Sequence, residues 1–196
     1  AQLLPAQLGE VLQQQLKAIG VEFYWGSAIA DAEFTDRQLK LTLADGRSLN
    51  TELILSAVGL KPNLQLAIQA GIECGKGIKV NQTLATSAAD IYALGDCAEV
   101  CSHNLMYIQP ISLSAKALAL TLTGQSTAVQ FPVMPVIVKS QALPVVSWPA
   151  PLQQQGEWTF EGQGLDWMAK FQNHSGLLLG FALTGKMVAQ RLRLAK

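Results

Sequence analysis

Residues 83–97, TLATSAADIYALGDC, decide how the rest of this sequence is interpreted. They comprise a polar, turn-rich start, an apolar run over 91–94 that predicts a short strand, and a glycine and an aspartate where the run stops. A carboxylate at the carboxyl end of a buried strand lies at the crevice where open α/β sheets bind ligands. Gly95 lacks a Cβ, so a bulky group can approach the backbone there. Asp96 offers only acceptors, which suit sugar or polyol hydroxyls. An ordinary turn has the same pattern.

The composition excludes several classes of partner. The 196 residues allow one large domain or two small ones, and 49% hydrophobic content suffices for a core. With 14 basic and 14 acidic residues and no run of either sign, nothing predicts binding to nucleic acid or to anionic lipid. The uncharged stretch 117–138 is long enough to raise the question of a membrane span. Gly124, Pro132 and Pro135 interrupt it, so we predict no span.

The cysteines favour a reducing compartment. There are three of them, an odd number that argues against a secreted disulfide framework. Cys97 and Cys101 lie four residues apart and are candidates for pairing or metal ligation. With no C-x-x-C and only two histidines, we predict no metal site. The start of the sequence has no basic region typical of a signal peptide. We therefore expect reduced thiols in a cytoplasmic protein.

Hydrophobic periodicity predicts an α/β fold followed by a smaller α+β domain. A helix over 6–19 feeds a strand over 21–25, which implies a βαβ unit whose first strand is missing, and G-x-G-x-x-G occurs nowhere. We therefore expect a truncated chain that is inactive alone. The apolar run 52–58, ended by Gly59, is typical of a strand buried on both faces in a parallel sheet. The remaining predicted elements are a hairpin around Asp45-Gly46, helices over 64–70, 112–122 and 186–194, and strands over 39–43, 78–80, 133–139, 141–148, 158–161, 165–171 and 177–183.

Several segments in a fixed order resemble one superfamily. Residues 86–97 resemble the second FAD-binding motif of the two-dinucleotide-domain flavoprotein reductases, and 57–63, AVGLKPN, resembles the segment that crosses from their NAD domain to their FAD domain. The resemblance implies a partial two-dinucleotide-domain flavoprotein with a small α+β C-terminal domain. We expect residues 1–59 to be the C-terminal part of the NAD(P)-binding domain and 60–124 the second segment of the FAD-binding domain. Residues 125–196 would form the C-terminal domain.

The C-terminal segment narrows the resemblance. Residues 131–140, FPVMPVIVKS, and 180–185, GFALTG, are similar to stretches of the rubredoxin reductases, a group that includes the flavorubredoxin reductases. The resemblance implies FAD and NAD(H) as cofactors and rubredoxin or a flavorubredoxin-like iron protein as partner. Alternatives are a ferredoxin reductase component of an oxygenase, or a non-enzymatic piece that acts only as an interaction module. The catalytic His-Glu pair of the disulfide reductases has no counterpart in His103 or in His174, which we predict to lie in a turn.

The resemblance also assigns cofactor-binding residues. Asp96 would anchor the ribityl chain of FAD beside Gly95, and the backbone of Ile108 and Gln109 would face the pyrimidine edge of the flavin. Alternatively, Ile108 and Gln109 belong to a loop that caps a core helix. Gly59 would admit the nicotinamide, or it simply ends a strand. No side chain is expected to act as a general acid or base, because the chemistry is that of the cofactor.

Lys139 is the remaining candidate. It is the only charge between Lys116 and Glu157 and follows an apolar run, so it needs an acceptor or a route to solvent. The resemblance places it over the flavin, and the alternative is a lysine that snorkels from a strand end. The resemblance implies an acidic partner, which would favour a basic surface on this protein. The sequence contains no cluster of basic residues that would form one. Folding could assemble Lys116, Lys139, Lys170 and Lys186 on one side.

Overall fold

A computed structural model of the chain describes residues 3–35, 38–151 and 154–195. The chain divides into two compact units. The larger unit contains Ala1–Leu12 and Leu60–Lys196, and the smaller unit is Gln13–Gly59. Helix α1, Ala6–Ala18, begins in the larger unit and ends in the smaller one. Within the described residues, no helix is long and apolar enough to cross a bilayer.

The smaller unit is an antiparallel three-stranded meander. Its strands are β1, Ile29–Thr35; β2, Gln38–Leu43; and β3, Ser48–Thr51, in that order. Strict alternation along β2 buries Leu41 and Leu43 on one face. The predicted Asp45-Gly46 turn joins β2 to β3, and Gly46 N donates to Leu43 O at 2.9 Å. The hairpin prediction is confirmed.

Two predicted strands of the smaller unit are wrong. Residues 21–25 and 52–58 have no strand structure, and Leu53, Leu55 and Val58 are 79%, 85% and 95% exposed. A strand buried on both faces needs a hydrogen-bonded neighbour on each side. Within 3–35, 38–151 and 154–195, no strand pairs with either run. Residues 52–58 therefore have the apolar sequence of a central strand, but no neighbouring strand among the described residues pairs with them.

The larger unit begins with a small α/β arrangement. Helix α2, Gln65–Gln69, is shorter by one residue at each end than predicted, and Asn63 Oδ1 accepts a bond from Gln65 N at 3.3 Å. Strand β4, Ile78–Val80, pairs in parallel with β5, Ala98–Val100. Helix α3, Ile108–Leu122, follows. Strands β4 and β5 and helix α3 share a buried cluster with the segments that connect them: Val80, Leu84, Ala93, Ala98, Val100, Ala117 and Val129.

The rest of the larger unit contains the five strands that the sequence predicts, and they form one antiparallel sheet. The strand order is β6-β7-β10-β9-β8, so β6 and β8 are the edges. The bounds are Val136–Val138 for β6, Val145–Trp148 for β7, Glu157–Gln163 for β8, Asp166–Gln172 for β9 and Leu178–Thr184 for β10. The predicted closing helix is instead a 3-10 helix, Gly185–Gln190, followed by a short α4, Arg191–Leu194.

Both faces of this sheet are covered, because successive side chains of a strand point to opposite sides. On one face Phe181 and Leu183 pack with Val188 and Leu194 from the closing helices. On the other face Ala182 packs with Leu8 of α1. Ser147 Oγ of β7 also donates a hydrogen bond to the carbonyl of Leu3, which lies just before α1.

Candidate functional site

The Gly-Asp pair lies before a strand and not after one. The predicted strand over 91–94 is only an isolated bridge between Tyr92 and Ala85, whereas Gly95–Cys97 is a 3-10 turn that leads directly into β5. Leu84 and Asp90 have φ of 69° and 60°, a left-handed conformation that interrupts a regular ladder. The expectation that Asp96 ends a buried strand is therefore wrong.

Gly95 is required by its conformation. Its φ is +81°, a region that residues with a Cβ enter at a cost. A Cβ at this position would lie 3.7 Å from Ile111 Cγ1, an ordinary contact, so crowding is not the reason for a glycine. Gly95 and Pro110 line a cavity of about 10 Å³, which is the size of one water. A cofactor at this place must therefore lie on the outer surface of the turn.

The turn holds Asp96 firmly while leaving its carboxylate available. Asn104 Nδ2 donates to the carbonyl oxygens of Asp96 at 2.9 Å and of Ala98 at 2.8 Å, which ties the turn to the start of β5. The Asp96 side chain is exposed and has no hydrogen bond or ion pair with any residue of the described part of the chain. It is therefore a free acceptor on a clamped backbone. Sequence reasoning missed Asn104, since no local pattern marks it.

The start of α3 lies beside this turn. The helix begins at Ile108, four residues earlier than predicted, and its N-cap residue Tyr107 gives no side-chain cap. The first-turn N–H groups are consequently open, with the positive end of the helix dipole. Ile108 is 77% exposed and Gln109 is exposed, whereas partial burial raises the pKa of Tyr107 above that of a free phenol. The structure thus packs the turn that contains Gly95 and Asp96 against the first turn of α3, which contains Ile108 and Gln109.

Lys139 lines a different pocket from Gly95, and Gly59 belongs to the smaller unit. Lys139 is exposed just after β6 and lines a second, open pocket, with Arg191. The sequence analysis did not predict Arg191 as a neighbour of this pocket, because it considered Lys139 only together with Lys116, Lys170 and Lys186. Gly59, in the smaller unit, has φ of +97° with open space beside it, and no strand precedes it. The assignments of Lys139 to the flavin and of Gly59 to the nicotinamide stay predictions.

The cysteines and histidines form no second site. Cys74, Cys97 and Cys101 are free thiols, and no cluster suited to a metal ion occurs among the described residues. His174 lies in the exposed turn between β9 and β10, as predicted, where Asn173 Oδ1 accepts a bond from Leu177 N at 2.9 Å.

Comparison with known proteins identifies the family. Residues 1–119 match the model of the pyridine nucleotide-disulphide oxidoreductases, which is more than half of the chain. The chain belongs to this family. Residues 128–196 match a second model, the rubredoxin binding C-terminal domain. The resemblance found in the sequence is confirmed by these two matches.

Individual relatives of this chain agree with the family match. The rubredoxin-NAD(+) reductase of Alcanivorax borkumensis is 44% identical over 99% of this chain and 51% of that protein. A nitric oxide reductase FlRd-NAD(+) reductase of Aeromonas salmonicida is 40% identical over 95% of this chain and 48% of its own length. The chain thus spans about half the length of the curated relatives it matches.

Solved structures confirm the fold. A ferredoxin reductase from Rhodopseudomonas palustris superposes on 97% of this chain and 48% of its own with a TM-score of 0.85. Its sequence is only 20% identical, so the likeness concerns the fold alone. The predicted fold class, part of a two-dinucleotide-domain flavoprotein, is confirmed.

Proposed function

We propose that this chain works as part of an FAD-dependent reductase that passes electrons from NADH to rubredoxin or a rubredoxin-like iron protein. The observation that carries the proposal is the pairing of the two family matches, with the oxidoreductase segment followed by a rubredoxin binding domain. The second match favours rubredoxin over ferredoxin as acceptor. The relatives named above, reductases of rubredoxin and of FlRd, support the same acceptor class.

The residues at the Gly95 turn fit a flavin nucleotide. Asp96 supplies two free acceptor oxygens for the hydroxyls of a polyol chain, and the open N–H groups at the start of α3 suit the electron-rich edge of a ring. FAD held at this turn would supply the hydride-accepting and one-electron-donating chemistry of the reductase. Asp96 would bind the ribityl hydroxyls. The backbone of Ile108 and Gln109 would orient the ring and stabilise negative charge at its edge.

The remaining assignments follow the same proposal. Lys139 would face the flavin and Gly59 would admit the nicotinamide. The domains would be 1–59 for NAD(H), 60–124 for FAD and 125–196 for the acceptor. The structural division after Gly59 supports the first boundary, although Ala1–Leu12 groups with the larger unit. The separate family matches to 1–119 and 128–196 support the second boundary. We also propose a cytoplasmic location, supported by the three free thiols.

Titration of the purified chain with FAD tests the site. We expect FAD fluorescence to be quenched on binding, and Asp96→Asn to weaken binding roughly tenfold or more, because hydrogen bonds to a charged group contribute about 1.5–3 kcal/mol. Asp90→Asn is the matched control. It also removes an exposed carboxylate, at a φ of 60° that asparagine tolerates. Equal FAD affinities of the two variants would refute the role of Asp96. If the chain binds no FAD, the proposal that the Gly95 turn and the start of α3 suffice to bind the cofactor is wrong.

A further inference from the structure

The small cavity beside Gly95 lies between its turn and helix α3. Its volume is about 10 Å³, which is enough for a single water molecule. The turn contributes Gly95 to the lining, and the helix contributes Pro110 and Ser114. His103 also lines the cavity and is exposed, whereas the other lining residues are buried or half-buried. We call this feature the Ser114 cavity.

The hydroxyl of Ser114 is a buried polar group without a protein partner. Ser114 is 3% exposed, and its Oγ forms no hydrogen bond with any residue in 3–35, 38–151 or 154–195. Ser112 shows the bond that a helical serine usually forms, because its Oγ donates to Ile108 O at 3.1 Å. The buried hydroxyls of Ser147 and Thr184 also have partners. Since buried polar groups are almost always paired with protein or with ordered water, the exception at Ser114 requires an explanation.

The turn that contains Gly95 supplies a second unpaired group. The carbonyl oxygen of Gly95 accepts a bond from Ala98 N, which closes the 3-10 turn. The N–H of Gly95, by contrast, has no acceptor among the residues that the structure describes. A backbone N–H that is shielded from water and left unpaired costs free energy. Two residues with an unpaired polar group therefore line one cavity of the size of a water molecule.

His103 adds a hydrogen-bond acceptor to the same lining. Its Nδ1 lies 2.8 Å from the carbonyl oxygen of Cys101. A carbonyl oxygen can only accept, so Nδ1 carries the proton, and Nε2 of the neutral ring is an acceptor. The lining thus combines a donor at Gly95, a hydroxyl at Ser114 that can donate or accept, and an acceptor at His103. Buried waters typically form about three hydrogen bonds with groups of this kind.

We propose that the Ser114 cavity binds one ordered water molecule, which bridges the hydroxyl of Ser114 and the N–H of Gly95. The water accepts from Gly95 N and pairs with Ser114 Oγ, and His103 can take a third bond. The lining contains no carboxylate, the oxygen ligand that hard cations prefer, so water fits it better than a metal ion. The bridge joins the turn that carries Asp96 to the helix that begins at Ile108, so these two segments move together. The water belongs to the chain without a cofactor, and its presence does not depend on the proposed function.

A high-resolution crystal structure of the chain detects the water directly. We expect a single density peak about 3 Å from both Ser114 Oγ and Gly95 N. Ser114→Ala should lose this peak. The matched control Ser112→Ala removes an exposed hydroxyl of the same helix and should keep it. A cavity without the peak in the unsubstituted chain, or an unchanged peak in Ser114→Ala, would overturn the proposal.

Thermal unfolding distinguishes a bridged hydroxyl from one that is simply unpaired. If water bridges Ser114 and Gly95, Ser114→Ala leaves the N–H of Gly95 alone and should lower Tm by roughly 2–4 °C. If the hydroxyl has no partner at all, its removal relieves an unpaired group and should raise Tm. Ser112→Ala should change Tm by less than about 2 °C. A Tm of Ser114→Ala at or above that of Ser112→Ala would therefore contradict the bridge. Neither measurement involves FAD, so both outcomes leave the proposed function as it stands.

Discussion

Removal of the Asn104 side chain should both destabilise the larger unit and weaken its candidate FAD site. The Asn104 amide donates to the carbonyls of Asp96 at 2.9 Å and of Ala98 at 2.8 Å. At about 1 kcal/mol for each net hydrogen bond, Asn104→Ala should lower the free energy of unfolding by about 2 kcal/mol. For a domain of this size, the corresponding decrease in Tm is roughly 4–8 °C. The Asp96 carboxylate would lose its fixed position, so FAD affinity should fall as well.

Thermal unfolding followed by circular dichroism, together with FAD titration, measures both effects of Asn104→Ala. Asn50→Ala is the control, because Asn50 is an exposed strand residue whose side chain makes no hydrogen bond within the described part of the chain. Its unfolding free energy should change by less than about 0.5 kcal/mol. If Asn104→Ala melts like the unsubstituted chain, the two hydrogen bonds do not hold the turn. If it melts lower but binds FAD equally well, the clamp has no part in the site.

Two further predictions concern charge. In the flavin-loaded protein, Lys139→Ala should lower the flavin reduction potential, because a nearby cation stabilises the anionic reduced ring. The control Lys186→Ala, which removes an exposed lysine, should leave the potential unchanged. Equal potentials of the two variants in a spectroelectrochemical titration would show that Lys139 does not lie beside the flavin. Hydrogen bonds from the Arg47 side chain hold the pKa of Asp45 at about 2, below its ordinary 3.8. The resulting stabilisation is present above pH 4 and is lost as pH falls through about 2. Arg47→Gln should return the pKa of Asp45 towards 3.8 in an NMR titration, and an unmoved value would exclude Arg47 as the cause.

Elements that depend on local sequence were predictable. The hairpin at Asp45-Gly46 follows from strict alternation and a turn dipeptide, and both act over a few residues. The five C-terminal strands were found for the same reason, within a few residues of their observed bounds. The segments that carry the family resemblance are also local, and the Gly95-Asp96 pair lies within one of them.

The predictions that the structure contradicts depend on partners distant in sequence or on local rules that have exceptions. The run 52–58 has the composition of a central strand, but composition supplies no neighbouring strand to pair with it. Helix α3 was predicted to start after Pro110, yet proline is tolerated in the first turn of a helix, and the helix begins at Ile108. The Asn104 clamp and the pocket that both Lys139 and Arg191 line each join separate elements. No periodicity within one segment reveals either of them.

The covering of the second sheet face by the start of α1 has a consequence for how the chain acquires its structure. The hydrogen bond from Ser147 to Leu3 joins residues 144 positions apart in sequence. The packing of Leu8 against Ala182 joins residues with an even larger sequence separation. Contacts of such long sequence separation form late and slow folding. On the ribosome, Leu8 emerges well before β10 exists, and its apolar surface stays uncovered until nearly all of these residues have been synthesised. Chaperones that recognise exposed apolar segments have that interval in which to bind.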